Sequence, residues 1–279
     1  MKKTRLMMLL CLLLAVTSLQ AQNNLVTGSF NIRYANQNDT GNLWIDRAPV
    51  CAALIRFHQF DIVGTQEGLR NQLDDLQAAL PGYAFYGLGR DDAKSKGEHS
   101  AIFYKKDRFL VKDSGDFWLS EKPEAPGWGW DAKHNRICTW LKLEDRKAKK
   151  TFYVFNVHYD HQGVVARTES SKLILRKIQS IAGKTPVVLM GDFNGNHQSD
   201  WYRQIQQSAE LEDTYTLAKD PYINNGSFNS FRPFPKSKDI IDHIFISKPF
   251  KVIRYGILTD TYHGKFPSDH FPVLAELSY

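Results

Sequence analysis

Six short stretches set polar groups where apolar runs stop or start. "GSFN" closes on Asn31, "DIVGTQE" on Glu67, "FYVFNVH" on His158, and "VVLMGDFN" on Asp192 and Asn194. "KDIIDHIF" carries Asp242 near the start of an apolar run, and "FPSDHFPV" puts Asp269 and His270 just ahead of the last one. Each is ordinary alone, since Asn and Asp form turns. Together they are carboxylates, amides and imidazoles that share a location on β-like segments. Hard divalent cations such as Mg²⁺ take oxygen ligands of this kind, and a phosphate can sit beside them. Too few Cys and His cluster in the sequence to suggest a zinc site.

Spacing assigns directions to these groups. Side chains alternate faces along extended chain. Asp192 and Asn194, two apart, are therefore expected to face one point, with Phe193 turned into the core. Asp269 and His270 are neighbours and diverge. His270 then needs its orienting carboxylate from another strand, and Asp242 is the best candidate. An imidazole held by a carboxylate can stabilise charge on a phosphate or act as an acid.

Three further features bear on substrate. Arg136, in "HNRICTW", could clamp a phosphate oxygen bidentately or pair with an acid at the surface. Trp128 and Trp130 share a Gly/Pro loop, where they could stack on a ligand or pack inward. The loop "NNGSFNSFRPFPKSKD" offers Phe231, Arg232 and Phe234 as specificity residues, because loops on a rigid scaffold commonly carry specificity.

The elements that must hold these groups are legible. Strands are expected at "NLVTGSFNI", "DIVGTQE", "YAFYGLG", "HSAIFYKK", "FLVKDSGDFWLS", "RICTWLKLE", "TFYVFNVHY", "PVVLMGD", "IDHIFIS", "FKVIRYGILT" and "PVLAELSY". Helical spacing marks "RAPVCAALIRFHQ", with a proline near its start, "NQLDDLQAAL", the segment from about Val164 to Ala182, and "SDWYRQIQQS" behind a Ser cap. Strands dominate, and each helix is long enough to cover a sheet face. Two sheets packed face to face with helices outside satisfy that count, although one larger mixed sheet remains compatible.

The chain has 279 residues and a formal charge of +6. Its start, "MKKTRLMMLLCLLLAVTSLQAQ", is basic, then apolar, then small, which predicts a secretory signal peptide over residues 1–21 rather than a membrane span. Residues 22–279 are then one domain. Loss of Lys2, Lys3 and Arg5 with the leader leaves +3, and no basic block stands out. Composition alone therefore does not predict a nucleic-acid binder. Cys11 lies in the leader. Cys51 and Cys138 sit in apolar surroundings and read as unpaired core residues.

In order, "SFNIRY", "TQE", "NVHYDHQG", "GDFN", "IDHIF" and "SDHFPV" resemble the endonuclease/exonuclease/phosphatase superfamily, and the likeness runs from Asn31 to His270. The stretches "GEHSAIFYKKDRF", "FWLSE" and "NRICTW" resemble an exported bacterial branch whose eukaryotic likeness is the nocturnin-like deadenylase group. The resemblance implies an α/β, deoxyribonuclease-I-like fold: a four-layer α/β/β/α sandwich with two packed mixed β-sheets. It implies Mg²⁺- or Mn²⁺-dependent attack of water on a phosphoester. Carried over by motif, Glu67 would be the principal metal ligand, with Asn31 beside it and Asp269 on the same side. Asp192 would position or deprotonate the water, Asn194 would hold the phosphate, His158 and His270 would stabilise the transition state, and Asp242 would orient His270. Relatives commonly read "NTH" then Leu where this chain reads "NVHYD", so Tyr159 is expected to alter the pocket wall.

The expected activity is an exported phosphoesterase, nuclease-like on nucleic acid or nucleotide material. The alternatives are a phosphatase or phosphodiesterase for a small sugar, inositol or lipid-linked phosphate, and an inactive binding module on the same fold. No membrane span in the mature chain and no obligate protein partner are expected.

Overall fold

The computed structural model describes residues 24–234 and 237–279. The expected leader lies outside them. One sheet holds β1 (Asn24–Asn31), β2 (Ile62–Gln66), β3 (Tyr83–Tyr86), β4 (Ile102–Lys105), β11 (Lys251–Ile257) and β12 (Val273–Ser278), in the order β11-β12-β1-β2-β4-β3. The other holds β5 (Phe109–Trp118), β6 (Ile137–Asp145), β7 (Lys150–His158), β8 (Val187–Asp192), β9 (Glu212–Asp213) and β10 (Asp242–Ile246), in the order β5-β6-β7-β8-β10-β9. Each sheet has a parallel pair at its centre, β1–β2 and β7–β8, with antiparallel strands outward. The helices are α1 (Trp44–Phe57), α2 (Arg70–Ala79), α3 (Val164–Ala182), α4 (Asp200–Gln206) and α5 (Thr214–Leu217).

Three apolar clusters make the four layers. Leu25, Ile62, Val154, Val188, Met190, Ile244 and Ala275 fill the space between the sheets. Phe30, Cys51, Ile55, Val63 and Leu76 join the first sheet to α1 and α2. Cys138, Phe155, Ile174, Leu189, Ile205 and Phe245 join the second sheet to α3 and α4. Cys51 and Cys138 are buried and free. The single larger sheet is therefore not formed: strands greasy on both faces need cover on both, and only a stacked pair of sheets with outer helices gives it.

Strand parity decides where the polar residues go. In β8, Val188 and Met190 face the other sheet, so Asp192 does too. The same period puts His158 in line with Val154, Asn31 with Leu25, and Asp242 with Ile244. Register then brings them to one end: Asn31 pairs with Gln66, and Asp192 with both His158 and Asp242. Gly191 makes that register possible. A Cβ there would stand 2.1 Å from Val157 O on β7, at a φ of +152°.

Some boundaries differ from expectation. The first helix begins three residues early, at Trp44, because that indole is buried and its Nε1 donates to Asp75 at 2.8 Å. Pro49 thus lies inside the helix rather than near its start. Ser199 occupies the cap position of α4 without capping it; its hydroxyl donates to Asn196 Oδ1 at 3.3 Å instead. The short β9 and α5 have no counterpart in the sequence expectation. No helix among the described residues is long and apolar enough to cross a membrane.

Candidate active site

The polar mouth of the inter-sheet core opens into a cavity of about 440 Å³. Asn31, at the end of β1, bridges two carboxylates: its Nδ2 donates to Glu67 Oε1 and to Asp192 Oδ2, both at 3.0 Å. Beneath it lies a polar layer between the sheets. Gln66 Nε2 donates to Asn156 Oδ1 at 2.7 Å, and Asn156 Nδ2 donates to the carbonyls of Thr65 and Ala101 at 2.9 Å.

β2 stops at Gln66, so Glu67 is not the last strand residue. It takes a left-handed φ of 64°, uncommon without glycine, and this turn aims its carboxylate at the cavity. Its Oε2 accepts from Tyr34 N at 3.2 Å. Arg33 and Asn194 are also left-handed, at 56° and 47°. Backbone strain of this kind gathers at functional sites. Asn194 consequently departs from the expected strand alternation. Asp192 and Asn194 do line the same cavity, but through a turn: Asn194 N donates to Asp192 Oδ1 at 2.9 Å and Asn194 Nδ2 to Tyr159 O at 3.0 Å. Phe193 is buried between them, as expected.

His270 Nδ1 lies 2.9 Å from Asp242 Oδ2, and its Nε2 lies 3.7 Å from Asp192 Oδ2. Burial opposes the imidazolium, but Asp242 and Asp192 overcome it and hold His270 well above its ordinary range. His158 goes the other way. Burial, then Arg136 and Arg90, press it well below its ordinary range, so the ring is neutral at pH 7. Its Nε2 is 3.6 Å from Asp192 Oδ2. Burial and the nearby Asp242 push Asp192 up to about 7, against the pull of His270. Burial also pushes Asp269 up to about 6; His270 opposes this and Glu67 adds to it.

Arg136 is not a surface residue. It is 4% exposed and faces the cavity, with Nε 3.5 Å from Asp160 Oδ2 and Nη1 4.0 Å from Glu98 Oε2. Neither nitrogen has a hydrogen-bond partner among the described residues. Phe231 and Arg232 do not line the cavity; the Phe231 ring lies 5.4 Å from the Arg47 guanidinium and Arg232 is exposed. Phe228 of the same loop takes the place expected of them, edge-on to His270 at 4.9 Å. Tyr159 is fully buried, with its hydroxyl 3.0 Å from Ser171 Oγ, so it does not wall the cavity. Trp128 is 69% exposed, whereas Trp130 packs on the outer core.

Sequence reasoning missed Arg33, Glu98, His134 and His161, all of which line the cavity. His134 and His161 stack at 5.6 Å. "GEHSAIF" and "NVHYDHQG" contain two of them, but no apolar run ends on either, so nothing marked them out.

The Endonuclease/Exonuclease/phosphatase family pattern matches residues 28–270. The chain belongs to this family. Its members hydrolyse phosphoester bonds with divalent metal, and this chain is such a hydrolase. A family protein of Bacteroides thetaiotaomicron is 44% identical, covers 92% of this chain and 98% of its own, and superposes with a TM-score of 0.90. A mannosyl-6-phosphatase of the same organism is 44% identical, with coverage of 91% and 100% and a TM-score of 0.89. The human nocturnin catalytic domain shares the fold at 20% identity, with coverage of 91% and 93% and a TM-score of 0.71. Some curated relatives are much longer: the chain spans 31% of the length of yeast Ccr4, a 3'-5'-exoribonuclease subunit.

The family's metal suits the residues present. Glu67 and Asp269 bring carboxylate oxygens of the kind hard cations take to the cavity, while the Asn31 amide presents Nδ2 to Glu67 and Asp192 and its Oδ1 accepts from Arg33 N at 3.0 Å, so it would have to turn over to serve as a ligand. Burial and the neighbouring Glu67 carboxylate hold Asp269 up against the pull of His270 and of Arg33, which lies 3.8 Å from each carboxylate; a dication would favour both charged forms further.

Proposed function

We propose that this enzyme is a Mg²⁺- or Mn²⁺-dependent phosphatase that removes phosphate from a small phosphorylated sugar. The makeup of the cavity carries the choice. It is compact, within the range of small-molecule sites, and most of its lining side chains are charged or polar, of both signs, with Tyr34 and Phe228 the exceptions. A carboxylate (Glu98), two stacked imidazoles (His134, His161) and a buried guanidinium (Arg136) suit hydroxyls and a terminal phosphate. A strand of nucleic acid would call for an extended basic track with stacking aromatics. The likeness to a mannosyl-6-phosphatase over nearly all of both chains supports the same substrate class.

Glu67, Asn31 and Asp269 would hold the metal, which supplies Lewis-acid stabilisation of the charged phosphoryl oxygens. Asp192 Oδ2 takes the proton of the attacking water. Its pKa near 7 is suited to a general base at neutral pH. The His270 imidazolium, held at Nδ1 by Asp242, and the Arg136 fork offset charge on the phosphoryl group. His158 and Asn194 donate to it, and Glu98 with the stacked imidazoles orients the sugar. We further propose export, on the basic-apolar-small pattern of residues 1–21; mass spectrometry of the native protein should then find an N-terminus near Gln22.

The test is a panel of hexose 6-phosphates, a bis-aryl phosphodiester and RNA, each with Mg²⁺, Mn²⁺ or chelator. Metal-dependent phosphate release from the hexose phosphates should exceed turnover of the others. Cleavage of RNA or diester without monoesterase activity would reject the proposal.

A further inference from the structure

A second convergence of ligand atoms lies behind β10, away from the cavity. His243 follows Asp242, so its side chain leaves the strand on the opposite face, toward α4. There its Nδ1 is 3.1 Å from Asp213 Oδ2, and His197 Nε2 is 3.6 Å from the same oxygen. One ligand atom from each of the three residues falls within 4.8 Å of the others. His243 and Asp213 are fully buried, while the His197 side chain is 23% exposed.

Two details point to a cation. His243 Nε2 lies 2.9 Å from Gly195 O. A carbonyl only accepts, so Nε2 carries the proton, and in the neutral ring Nδ1 turns a lone pair toward a carboxylate oxygen. An imidazole whose far N–H donates to a backbone carbonyl is the usual arrangement of a metal-bound histidine. The second detail is His197 Nε2, a buried atom with no hydrogen-bond partner among the described residues, lying beside the same carboxylate. In a tetrahedral zinc site, bonds of 2.0–2.1 Å set ligand atoms about 3.3 Å apart. The two measured separations bracket that spacing.

We propose that His197, Asp213 and His243 form a second site, for a zinc-class cation, with a water in the fourth position reached past His197. Two imidazole nitrogens and one carboxylate favour Zn²⁺ over Mg²⁺. The site ties β9 and β10 to the turn after β8, because His243 bonds Gly195, the neighbour of Asn194. A bound cation would brace the backbone carrying Asp242 and Asn194 without touching substrate. The competing arrangement is a cation-free cluster in which Asp213 Oδ2 accepts from Tyr202 Oη at 3.0 Å and from His243 Nδ1 at 3.1 Å, with His197 Nε2 beside the same oxygen.

The experiment takes the whole folded protein as Glu67→Gln, stripped with chelator and kept in excess Mg²⁺ so that the oxygen-rich cavity does not compete. Zn²⁺ or Co²⁺ alone is then titrated. One equivalent should bind, Co²⁺ should show the intense visible bands of a tetrahedral site, and Tm should rise. Adding His197→Ala should weaken binding by at least about 10–100-fold and abolish the Tm rise, with circular dichroism unchanged. X-ray absorption of the zinc-loaded Glu67→Gln protein should show two imidazoles at about 2.0–2.1 Å, a readout that does not depend on His197→Ala folding. Absence of a bound equivalent, binding indifferent to His197→Ala, or fewer than two imidazoles overturns the proposal.

Discussion

Arg136→Lys tests the phosphate site most directly. The arginine is 4% exposed, and among the described residues only its Nη2 has a hydrogen-bond partner, His161 Nδ1 at 3.2 Å. Nε and Nη1 are buried donors left over, beside a cavity that suits an anion. Lysine keeps the charge and loses the planar fork. A hydrogen bond to a charged group contributes about 1.5–3 kcal/mol. Losing two and recovering part of one through the ammonium costs roughly 2–4 kcal/mol in transition-state binding, or about 30- to 1000-fold in kcat/KM. The assay is steady-state kinetics on a hexose 6-phosphate, with the inhibition constant of inorganic phosphate measured alongside. Both should worsen together, since product and transition state share the fork. Tm should move little, because Asp160 keeps its bonds from the N–H groups of Lys133, Gln162 and Gly163. A kcat/KM within about threefold of wild type, or an unchanged phosphate constant, would refute the assignment of Arg136 to the phosphate.

Asp192→Asn should lower kcat by about 10²- to 10⁴-fold with little change in Tm, measured by phosphate release and calorimetry; near-normal turnover would make "GDFN" only a turn. Gly191→Ala should cost at least about 3 kcal/mol in urea denaturation, because its Cβ meets Val157 O and its φ disfavours a side chain. Asp160 is opposed by burial, yet backbone N–H groups and Arg136 hold it down to about 2. A depressed carboxylate stabilises above its unfolded pKa, so Asp160 alone should contribute a loss of about 2 kcal/mol as pH falls from 4 through 2, in the same window as Asp213. Asp160→Asn should make that limb of the stability–pH curve shallower by Asp160's share; an unchanged limb would disprove the linkage.

Much of the frame was legible because hydrophobic period reports strand and helix directly. The eleven expected strands are present, and Asp192 and Asn194 line one cavity with Phe193 buried between them. Asp242 does supply the carboxylate that His270 needed. What failed was local and not periodic. Asn194 reaches the cavity through a left-handed turn, and Phe228 rather than Phe231 faces it. Within a loop, no alternation rule tells which of two aromatics turns inward.

By itself the sequence determined the strands and helices, the family motifs and the segment ends on which the polar groups sit, since those follow from neighbours along the chain; that the strands form two stacked sheets rather than one was decided by the tertiary structure. Only the tertiary structure decided which distant groups meet. Glu98, His134 and His161 come to one wall from separate loops, and His197, Asp213 and His243 to one point from separate elements. Protonation was settled there as well. His158 and His270 are the same residue type in the same cavity, yet burial with Arg136 keeps one neutral while Asp242 and Asp192 keep the other charged. A charge depends on every group within a few ångströms through space, and that set is not written in the order of residues.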